Sequence, residues 1–340
     1  MQLYTIDPLP LEWMDQSNVE NRASGRRAGA LGELFASQYQ FAAWAKHDRP
    51  DLYWSPRHHL PGVLEKSMPA VVTVHDVVWK SLSQTMSRRG RIAEQLLMGR
   101  SLKRADQIIC VSDFTRRAVQ KHWPRYAEKA TTIYSGADGL VADPILSDLP
   151  CLPDKFFLFV GTQEPRKNID TLLAAYANLA AVEADVPDLV LVGCSGWGGV
   201  DARDLIRKMG PELKVTLLNE VTDAELSRLY QGALCLVLPS WLEGFGLPVA
   251  EAMHFGLPSI VSSTGALPEI AGDSALLIEP GCVESISSAL ALFAKDSNLR
   301  ETLAENAKRR AVLFQWGDCS QRTQTLFASV ISAHVSSVAP

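Results

Sequence analysis

Residues 235–251 read CLVLPSWLEGFGLPVAE, which is an apolar run, a glycine-containing loop and the start of a helix. The run Cys235–Leu238 predicts a buried strand, because it is wholly apolar and turn-forming residues follow it. Pro248 suits the first turn of a helix, where its missing N–H leaves no hydrogen bond unmade. A strand, a loop and a helix in this order form the repeating unit of a parallel α/β sheet.

The same unit recurs along most of the chain. In the second half we predict strands at Phe156–Val160, Leu189–Val192, Val215–Leu218, Cys235–Leu238, Ser259–Val261 and Ala275–Ile278, with helices near residues 169–182, 201–209, 223–232, 248–255 and 283–294. In the first half we predict strands at Leu3–Ile6, Leu52–Trp54, Ala70–Val74, Gln107–Val111 and Thr131–Tyr134, with helices near residues 28–46, 86–104 and 113–122. The proline-containing, non-periodic segment 143–153 predicts a linker between two α/β domains.

The bulk composition is that of a globular chain. With 340 residues, 47% of them hydrophobic and 21% charged, the chain is long enough for two domains. No apolar run is long enough to span a membrane, and Met1–Tyr4 does not resemble a secretory signal, so we expect a cytoplasmic protein. The cysteines lack C-x-x-C spacing, which predicts small core residues rather than disulfides or a zinc cluster. They are Cys110, Cys151, Cys194, Cys235, Cys282 and Cys319.

The net charge of −5 conceals an asymmetry. Residues 1–144 carry 19 Lys and Arg against 15 Asp and Glu, whereas the rest carries 14 against 23. One predicted helix combines the apolar residues Ile92, Leu96, Leu97 and Leu102 with the cations Arg88, Arg89, Arg91, Arg100, Lys103 and Arg104. This pattern is typical either of a solvated helix face or of a surface that meets an anionic membrane or a phosphate-bearing acceptor. The sequence contains no module of interleaved aromatic and basic residues, so a nucleic-acid partner is not expected.

The glycine loop after residue 238 carries the strongest candidate site, since ligands of open parallel sheets bind beyond the carboxyl ends of the strands. Gly244 and Gly246 permit close backbone approach. Glu243 in the loop and Glu251 in the following helix can present carboxylates to sugar and ribose hydroxyls, although Glu251 would also complement the helix dipole. Free amides at the helix start are predicted to face a polar ligand. They belong to Phe245, Gly246 and Leu247.

A second candidate lies in residues 161–168, which read GTQEPRKN between a predicted strand and an amphipathic helix. Arg166 and Lys167 follow the turn at Gly161 and Thr162, a position suited to a diphosphate, although such pairs are also common on solvated loops. The spacing is not that of a P-loop, and the glycines of residues 193–199 lack the context of a dinucleotide fingerprint. The chain has no D-x-D triplet, so cations and amides, rather than a metal ion, are expected to neutralise a diphosphate.

Three further positions follow predicted strands. His75, followed by Asp76, could orient an acceptor or a transferred sugar, or could be held by local hydrogen bonds. Adjacent His58 and His59 are not expected to bind a metal, because neighbouring side chains diverge and no i,i+4 partner exists. Thr222 opens a helix with a capping box and is included among the candidate donor-binding residues.

These motifs resemble family 4 glycosyltransferases, which have the GT-B fold, two Rossmann-like parallel-sheet domains facing each other across a cleft. Residues 243–251 match the family's E-x7-E signature, and residues 161–168 match a second family segment. Further matches lie at residues 265–269, 273–277 and 314–316, so that the resemblance runs from about Pro50 to the end of the chain. It implies an acceptor-side domain at residues 1–145, a nucleotide-sugar-binding domain at 151–316 and a helix at 317–340 that crosses back onto the first domain.

The resemblance also implies roles for the candidate residues. Lys167, aided by Arg166, would hold the diphosphate, Glu243 and the loop amides the sugar, and Glu251 the ribose. His75 would lie near the reacting side of the sugar. Such enzymes are retaining, need neither metal nor cofactor, and move a hexose from a nucleotide-sugar donor to a glycan or lipid-linked acceptor. We therefore expect cell-surface polysaccharide synthesis at the inner membrane face, and similarity to bacterial mannosyltransferases favours GDP-mannose, with UDP-hexoses and deoxysugar nucleotides left open.

Two departures from the family pattern matter. Family members open with a strand, a glycine-rich loop and a helix, and Gly25 and Gly29 do not replace this unit, because residues 15–27 predict no strand. We therefore expect an N-terminal truncation or a downstream start. Thr162 stands where many relatives carry arginine, which shifts phosphate binding toward Arg166. The alternatives left open are a truncated, catalytically impaired sugar-nucleotide-binding protein and another GT-B enzyme such as a sugar-nucleotide epimerase.

Overall fold

The structure, a computed structural model, describes residues 1–9, 19–25, 29–81, 88–140, 152–194, 196, 198, 201–210 and 213–338. The strands are β1 Gln2–Thr5, β2 Glu20–Ala23, β3 Tyr53–Ser55, β4 Ala70–Val74, β5 Gln107–Cys110, β6 Ala130–Thr132, β7 Phe156–Val160, β8 Asp188–Val192, β9 Val215–Leu218, β10 Cys235–Leu238, β11 Ser259–Ser262 and β12 Ala275–Ile278. The helices are α1 Gly29–Phe35, α2 Phe41–Asp48, α3 Val78–Ser81, α4 Arg88–Arg104, α5 Asp113–His122, α6 Ile169–Val182, α7 Ala202–Met209, α8 Asp223–Gly232, α9 Leu247–His254, α10 Leu267–Ala271, α11 Val283–Lys295, α12 Ser297–Ala311 and α13 Trp316–Val338.

The larger sheet is parallel and has the strand order β12-β11-β10-β7-β8-β9. Its central strands are buried along almost their whole length, as expected for strands covered on both faces by helices. The chain leaves β9 at one edge and returns to β10 beside β7, so the direction of strand addition reverses between β7 and β10. Ligands of open α/β sheets bind at such a switch point.

The first half forms a smaller parallel sheet with the order β3-β4-β5-β6, and β1 and β2 pair as a separate two-stranded sheet. The prediction that residues 15–27 contain no strand is wrong, because β2 lies there and Gly25 follows it with a φ of +64°. The sequence of β2, Glu-Asn-Arg-Ala, has no apolar alternation. Pairing with β1, rather than intrinsic propensity, therefore makes the strand.

The last helix, α13, packs against the smaller sheet. The rings of Phe327 in α13 and Trp54 in β3 lie 5.4 Å apart between centroids. Val330 is buried in the same cluster as residues of β4 and β5, and Arg322 donates to the Thr132 carbonyl at 2.9 Å. The layer built by the first half is thus completed by residues from the end of the sequence.

The predicted basic helix is α4, and its side chains differ in their exposure. Ile92 and Leu96 are 59% and 62% exposed, and Arg100 is exposed as well. Leu102 is fully buried. Arg104 does not belong to a solvated face, because its guanidinium donates to two backbone carbonyls in the loop before β4.

The interpretation of the cysteines as core residues is correct for only part of the set. Cys110 and Cys235 are buried within strands, but Cys194 is exposed and Cys282 and Cys319 are partly exposed. Cys194 follows the end of β8 and therefore lies in a loop rather than in the sheet. Cys151, like residues 141–150 of the predicted linker, lies outside the described residues.

Candidate active site

The carboxyl ends of β7 and β10 meet at the switch point, and the loops that follow them hold the predicted residues. Asn168 joins these loops. It has a φ of +59°, and its side-chain amide donates to the carbonyls of Pro239 and Pro280 at 3.0 and 2.5 Å. Because this amide is fully buried and makes both bonds, it fixes residues 161–168 against the β10 loop.

Glu243 contacts both predicted cations. Its Oε1 atom accepts hydrogen bonds from Lys167 Nζ and Ser240 Oγ, both at 2.8 Å. Its Oε2 atom is paired with Arg166, whose second terminal nitrogen donates to Glu164 at 2.6 Å. The two cations and two carboxylates form a charge-balanced cluster in which no side chain is more than 18% exposed.

This cluster keeps Glu243 ionised. Burial opposes ionisation of the carboxyl, but the charges of Lys167 and Arg166, with hydrogen bonds from Lys167 and Ser240, hold its pKa below the ordinary value. The pKa of Arg166 is raised, because attraction to the neighbouring carboxylates outweighs the opposing effect of burial. Donors occupy both oxygens of Glu243, so this carboxylate is poorly suited to attack a carbon atom as a nucleophile.

The loop between β10 and α9 presents backbone amides. Gly246 has a φ of +102°, and a Cβ atom there would lie 2.5 Å from the Leu267 side chain, so glycine is required on both grounds. Pro248 lies in the first turn of α9. Within the described part of the chain, no backbone carbonyl accepts the amide hydrogens of Phe245, Gly246 or Leu247, as is usual for the start of a helix.

Gly161 and Thr162 form the turn after β7. A Cβ atom on Gly161 would lie 3.1 Å from Lys167 Cε, so the turn packs directly against the lysine stem. A Cβ atom on Gly193 would lie 2.0 Å from the Gly161 carbonyl oxygen, which gives this glycine of the β8 loop a packing role. Thr162 is exposed, and its carbonyl accepts the amide hydrogen of Glu164 at 2.9 Å.

Glu251 and Thr222 belong to other elements, Glu251 to α9 and Thr222 to the start of α8. Glu251, in α9, accepts a hydrogen bond from the Tyr230 hydroxyl at 2.7 Å. Burial raises the pKa of Glu251, and the bond from Tyr230 opposes this rise only in part. Thr222 forms the predicted capping box with Glu225 at the start of α8. Its hydroxyl and backbone N–H are bonded to Glu225, and its carbonyl accepts the amide hydrogen of Leu226, so the polar groups of Thr222 are occupied within the protein.

His75 directly follows β4, and its carbonyl faces the β10 loop. Its Nε2 atom lies 2.7 Å from the Pro56 carbonyl oxygen, and because a carbonyl only accepts, Nε2 carries the hydrogen. Its backbone N–H donates to His58 Nε2 at 3.1 Å. The ring is exposed, which leaves Nδ1 available to a ligand. A Cβ atom on Gly244 would lie 2.0 Å from the His75 carbonyl oxygen, so the two sheets meet here without room for a side chain.

His58 and His59 point in different directions. His59 Nε2 lies 2.9 Å from Glu94, whereas His58 faces His75. Burial lowers the pKa of His58, and the carboxylate of Asp76 opposes this effect in part. Across the described residues, no three His, Cys, Asp or Glu side chains are grouped so as to hold a metal ion.

Sequence reasoning missed the polar groups that complete this arrangement. Ser240 had a local signal, since it precedes Glu243 in the same loop. Tyr230 reaches Glu251 from a neighbouring helix, so no motif could have revealed it. Asn168 lies in the segment 161–168, but nothing in that segment indicates that its amide would be buried and bonded to two carbonyls.

Two parallel α/β layers that face each other are the arrangement of the GT-B class of glycosyltransferase folds. Residues 151–310 match the family model for glycosyl transferases group 1, and residues 17–138 match that for glycosyltransferase family 4. The chain belongs to this family of glycosyltransferases, as the sequence motifs predicted. Within the residues that the structure describes, no helix has the length and apolar character needed to span a membrane.

Similar proteins support this placement. The chain is 33% identical over 294 residues to O-antigen chain mannosyltransferase B of Escherichia coli, covering 83% of this chain and 75% of that relative. It is 30% identical to the O-antigen chain mannosyltransferase RfbU of Salmonella typhimurium, covering 68% of this chain and 62% of the relative.

The fold also matches solved structures. Sucrose-phosphate synthase from Thermosynechococcus elongatus superposes with a TM-score of 0.74 at 23% identity, over 92% of this chain and 84% of that one. Anabaena HepE, solved in complex with UDP and glucose, gives a TM-score of 0.70 at 19% identity, over 96% and 91% of the two chains. At these identities the likeness bears on the fold alone.

Proposed function

We propose that this protein is a retaining, metal-independent hexosyltransferase that uses a nucleotide-sugar donor, with GDP-mannose as the best candidate. The observation that carries the proposal is the cluster of Arg166, Lys167 and Glu243 beside free loop amides at the switch point of the larger sheet. Diphosphates bind where cations and helix-start amides converge, and carboxylates bind sugar hydroxyls.

The cluster suggests how a donor is held without a metal ion. Lys167 has three donor hydrogens and Glu243 takes one of them, so others remain for a diphosphate. The amides of Gly246 and Leu247 add neutral donors at the positive end of α9, and the Phe245 amide is left for the transferred sugar. Because the cluster is already charge-balanced, these free donors, rather than an excess of positive charge, attract the phosphates in this proposal.

The same geometry supports a mechanism without an enzymatic nucleophile. Glu243 stays ionised, and three donors use three of the about four acceptor sites of its carboxylate, so a site remains for a sugar hydroxyl. In the proposed step the acceptor oxygen attacks the anomeric carbon from the face that the phosphate leaves, and the departing phosphate takes the acceptor's proton. His75, fixed by Pro56, would orient the sugar or the acceptor through Nδ1.

The two sheets have separate substrates in this proposal. We propose that residues 1–145 serve the acceptor and residues 151–316 bind the donor, with Glu251 at the ribose and the final helix tying the two parts together. The acceptor would be a glycan or a lipid-linked glycan in cell-surface polysaccharide synthesis, as the names of the two mannosyltransferase relatives suggest. The exposed residues Ile92, Leu96 and Arg100 of α4 would serve contact with the inner membrane face.

The donor can be identified by ligand-induced stabilisation followed by transfer. GDP-mannose, UDP-glucose and dTDP-glucose are each added to the purified protein, and the true donor is expected to raise the melting temperature by a few degrees, since a ligand at 100 times its Kd contributes about 2.7 kcal/mol. Transfer to membrane glycolipid is then measured with and without EDTA, and NMR of the product gives its anomeric configuration. Loss of transfer with EDTA, or an inverted product, would overturn the metal-independent, retaining proposal.

The same screen separates the alternatives. Stabilisation by UDP-glucose instead of GDP-mannose would change the donor and keep the enzyme class. Binding without transfer or hydrolysis would favour a sugar-nucleotide-binding protein. Interconversion of the free nucleotide sugar would favour an epimerase.

A further inference from the structure

The first turn of α5 contacts the β10 loop from the other sheet. Ser112 caps α5 by accepting the Thr115 amide hydrogen at 3.0 Å, and its hydroxyl donates to the Gly244 carbonyl at 2.5 Å. The Thr115 hydroxyl lies 3.1 Å from the same carbonyl and 3.3 Å from that of His75. Both hydroxyls are fully buried, so water does not compete for these bonds.

The first turn of α5 also makes a second contact with the other sheet's domain, through Glu269. The carboxylate of Glu269, just inside α10, accepts the amide hydrogens of Asp113 and Phe114 at 2.6 and 2.7 Å. It satisfies donors that a helix start leaves unpaired, from a segment more than a hundred residues away in sequence. Arg117 lies 3.5 Å from the same carboxylate.

The neighbouring residues leave the β10 loop little freedom. Gly244 touches the His75 carbonyl so closely that no Cβ atom fits. The side chain of Phe245 is buried between Tyr134 and Phe314, with ring centroids at 6.3 and 5.8 Å. The loop is therefore fixed on both sides of the peptide bond that joins residues 244 and 245.

The orientation of that peptide bond decides where one of the free amides points. In a planar trans peptide the C=O of residue 244 and the N–H of residue 245 point in opposite directions. Hydroxyls that hold the Gly244 carbonyl against α5 consequently direct the Phe245 N–H away from α5. We infer that Ser112 and Thr115 are positioning residues that aim the Phe245 amide at the transferred sugar, and this inference rests on the proposed function of that amide.

The test uses the full-length protein and two small substitutions. Thr115→Val removes the hydroxyl with little change in shape, and Ser112→Gly removes the second donor at a site where glycine caps a helix almost as well. Thr115→Ser restores a hydroxyl, and Ser101→Ala is the matched control, because Ser101 is also buried and bonded to backbone in the first half of the chain.

Misdirecting one donor to the reacting group is expected to lower kcat about 10- to 100-fold. The affinity for GDP, which lacks the sugar, should change less than about threefold, because the phosphate contacts do not depend on this peptide. Thr115→Ser should recover most of the activity, and Ser101→Ala should retain it. Wild-type kcat in both Thr115→Val and Ser112→Gly, or an equal loss in Thr115→Ser and Thr115→Val, would overturn the assignment.

Hydrogen exchange provides a second measurement that needs no turnover. In Thr115→Val the amides of Val249 and Ala266, which donate to the Gly246 and Glu243 carbonyls of this loop, should exchange faster than in wild type and Thr115→Ser, while the free energy of global unfolding stays the same. Unchanged exchange in this loop would also overturn the assignment. Failure of the proposed function is distinguishable, since it would appear as absence of sugar transfer by the wild type, whatever the exchange result.

Discussion

The larger and smaller sheets contribute different chemistry to the cleft between them. The larger sheet supplies ionised groups that are buried and already paired with one another, namely Arg166, Lys167, Glu164 and Glu243. The smaller sheet supplies histidines and hydroxyls that are joined by neutral hydrogen bonds. Substitutions in the larger sheet should therefore affect both folding and donor binding, whereas substitutions in the smaller sheet should affect mainly turnover.

The largest effect is expected at Glu243. Replacing Glu243 by alanine would leave Arg166 and Lys167 buried beside each other with one carboxylate fewer, and breaking a buried pair in this way costs about 3–5 kcal/mol. We expect Glu243→Ala to lower the free energy of unfolding in urea by this amount and to abolish transfer. Glu243→Gln, which keeps the shape and part of the hydrogen bonding, should be more stable than Glu243→Ala but equally inactive. Stability equal to wild type in Glu243→Ala would show that the cluster does not depend on the paired charges.

The second-largest effect is expected at Lys167, as a loss of donor affinity. Lys167→Met removes the ammonium group while keeping much of the stem that packs on Gly161. We expect donor affinity, measured by calorimetry, to fall about 10- to 100-fold, in the range of one or two lost charge-assisted hydrogen bonds. Lys155→Met is the control, because Lys155 is exposed at the opposite end of β7. A similar loss in both variants would point to net charge rather than to a specific contact.

His75 tests the smaller sheet in the same way. His75→Gln is expected to lower kcat about tenfold while donor affinity and stability stay near the wild-type values, because the ring is exposed and makes one hydrogen bond among the residues that the structure describes. His47→Gln, at an exposed position of α2, is the control. A fall in donor affinity without a fall in kcat would indicate that His75 contacts the donor rather than the acceptor.

The smallest effect is a pH dependence. Burial lowers the pKa of His58, so below about pH 6.5 the unfolded chain takes up a proton that the folded protein resists. The free energy of unfolding should therefore fall as the pH drops from about 6.5 toward the folded pKa, by at most about 1.4 kcal/mol per pH unit. His58→Asn keeps an acceptor for the His75 amide and should flatten this slope when unfolding is followed between pH 5 and 7. An equal slope in the variant would assign the effect to another titrating group.

The two halves of the chain also differ in how well their strands and helices could be predicted from the sequence. In the second half, β7, β9, β10 and β12 lie at the predicted residues, because each is a short, largely apolar run bounded by turn-forming residues. The polar strand β2 and the amphipathic helix α12 lack such a signal and were not predicted. The E-x7-E segment was likewise visible, since all of its parts lie in one strand–loop–helix unit.

Contacts between distant segments were beyond the reach of the sequence. Nothing near Gly244 indicates that hydroxyls from residues 112 and 115 would hold its carbonyl, because those segments are separated by more than a hundred residues. The pairing of Glu243 with both cations was not predicted either; the sequence assigned the cations to a diphosphate and the carboxylate to a sugar. A local motif identifies which groups are present, whereas only the fold decides which of them meet before a ligand binds.

The contact of α13 with the smaller sheet has a consequence for synthesis of the protein. Strands β3 to β6 leave the ribosome long before Phe327 and Val330, which cover part of their surface. The apolar face of the smaller sheet that α13 covers therefore stays exposed to water until about two hundred further residues have been translated. During that interval this face is the place where a chaperone, or another nascent chain, could bind.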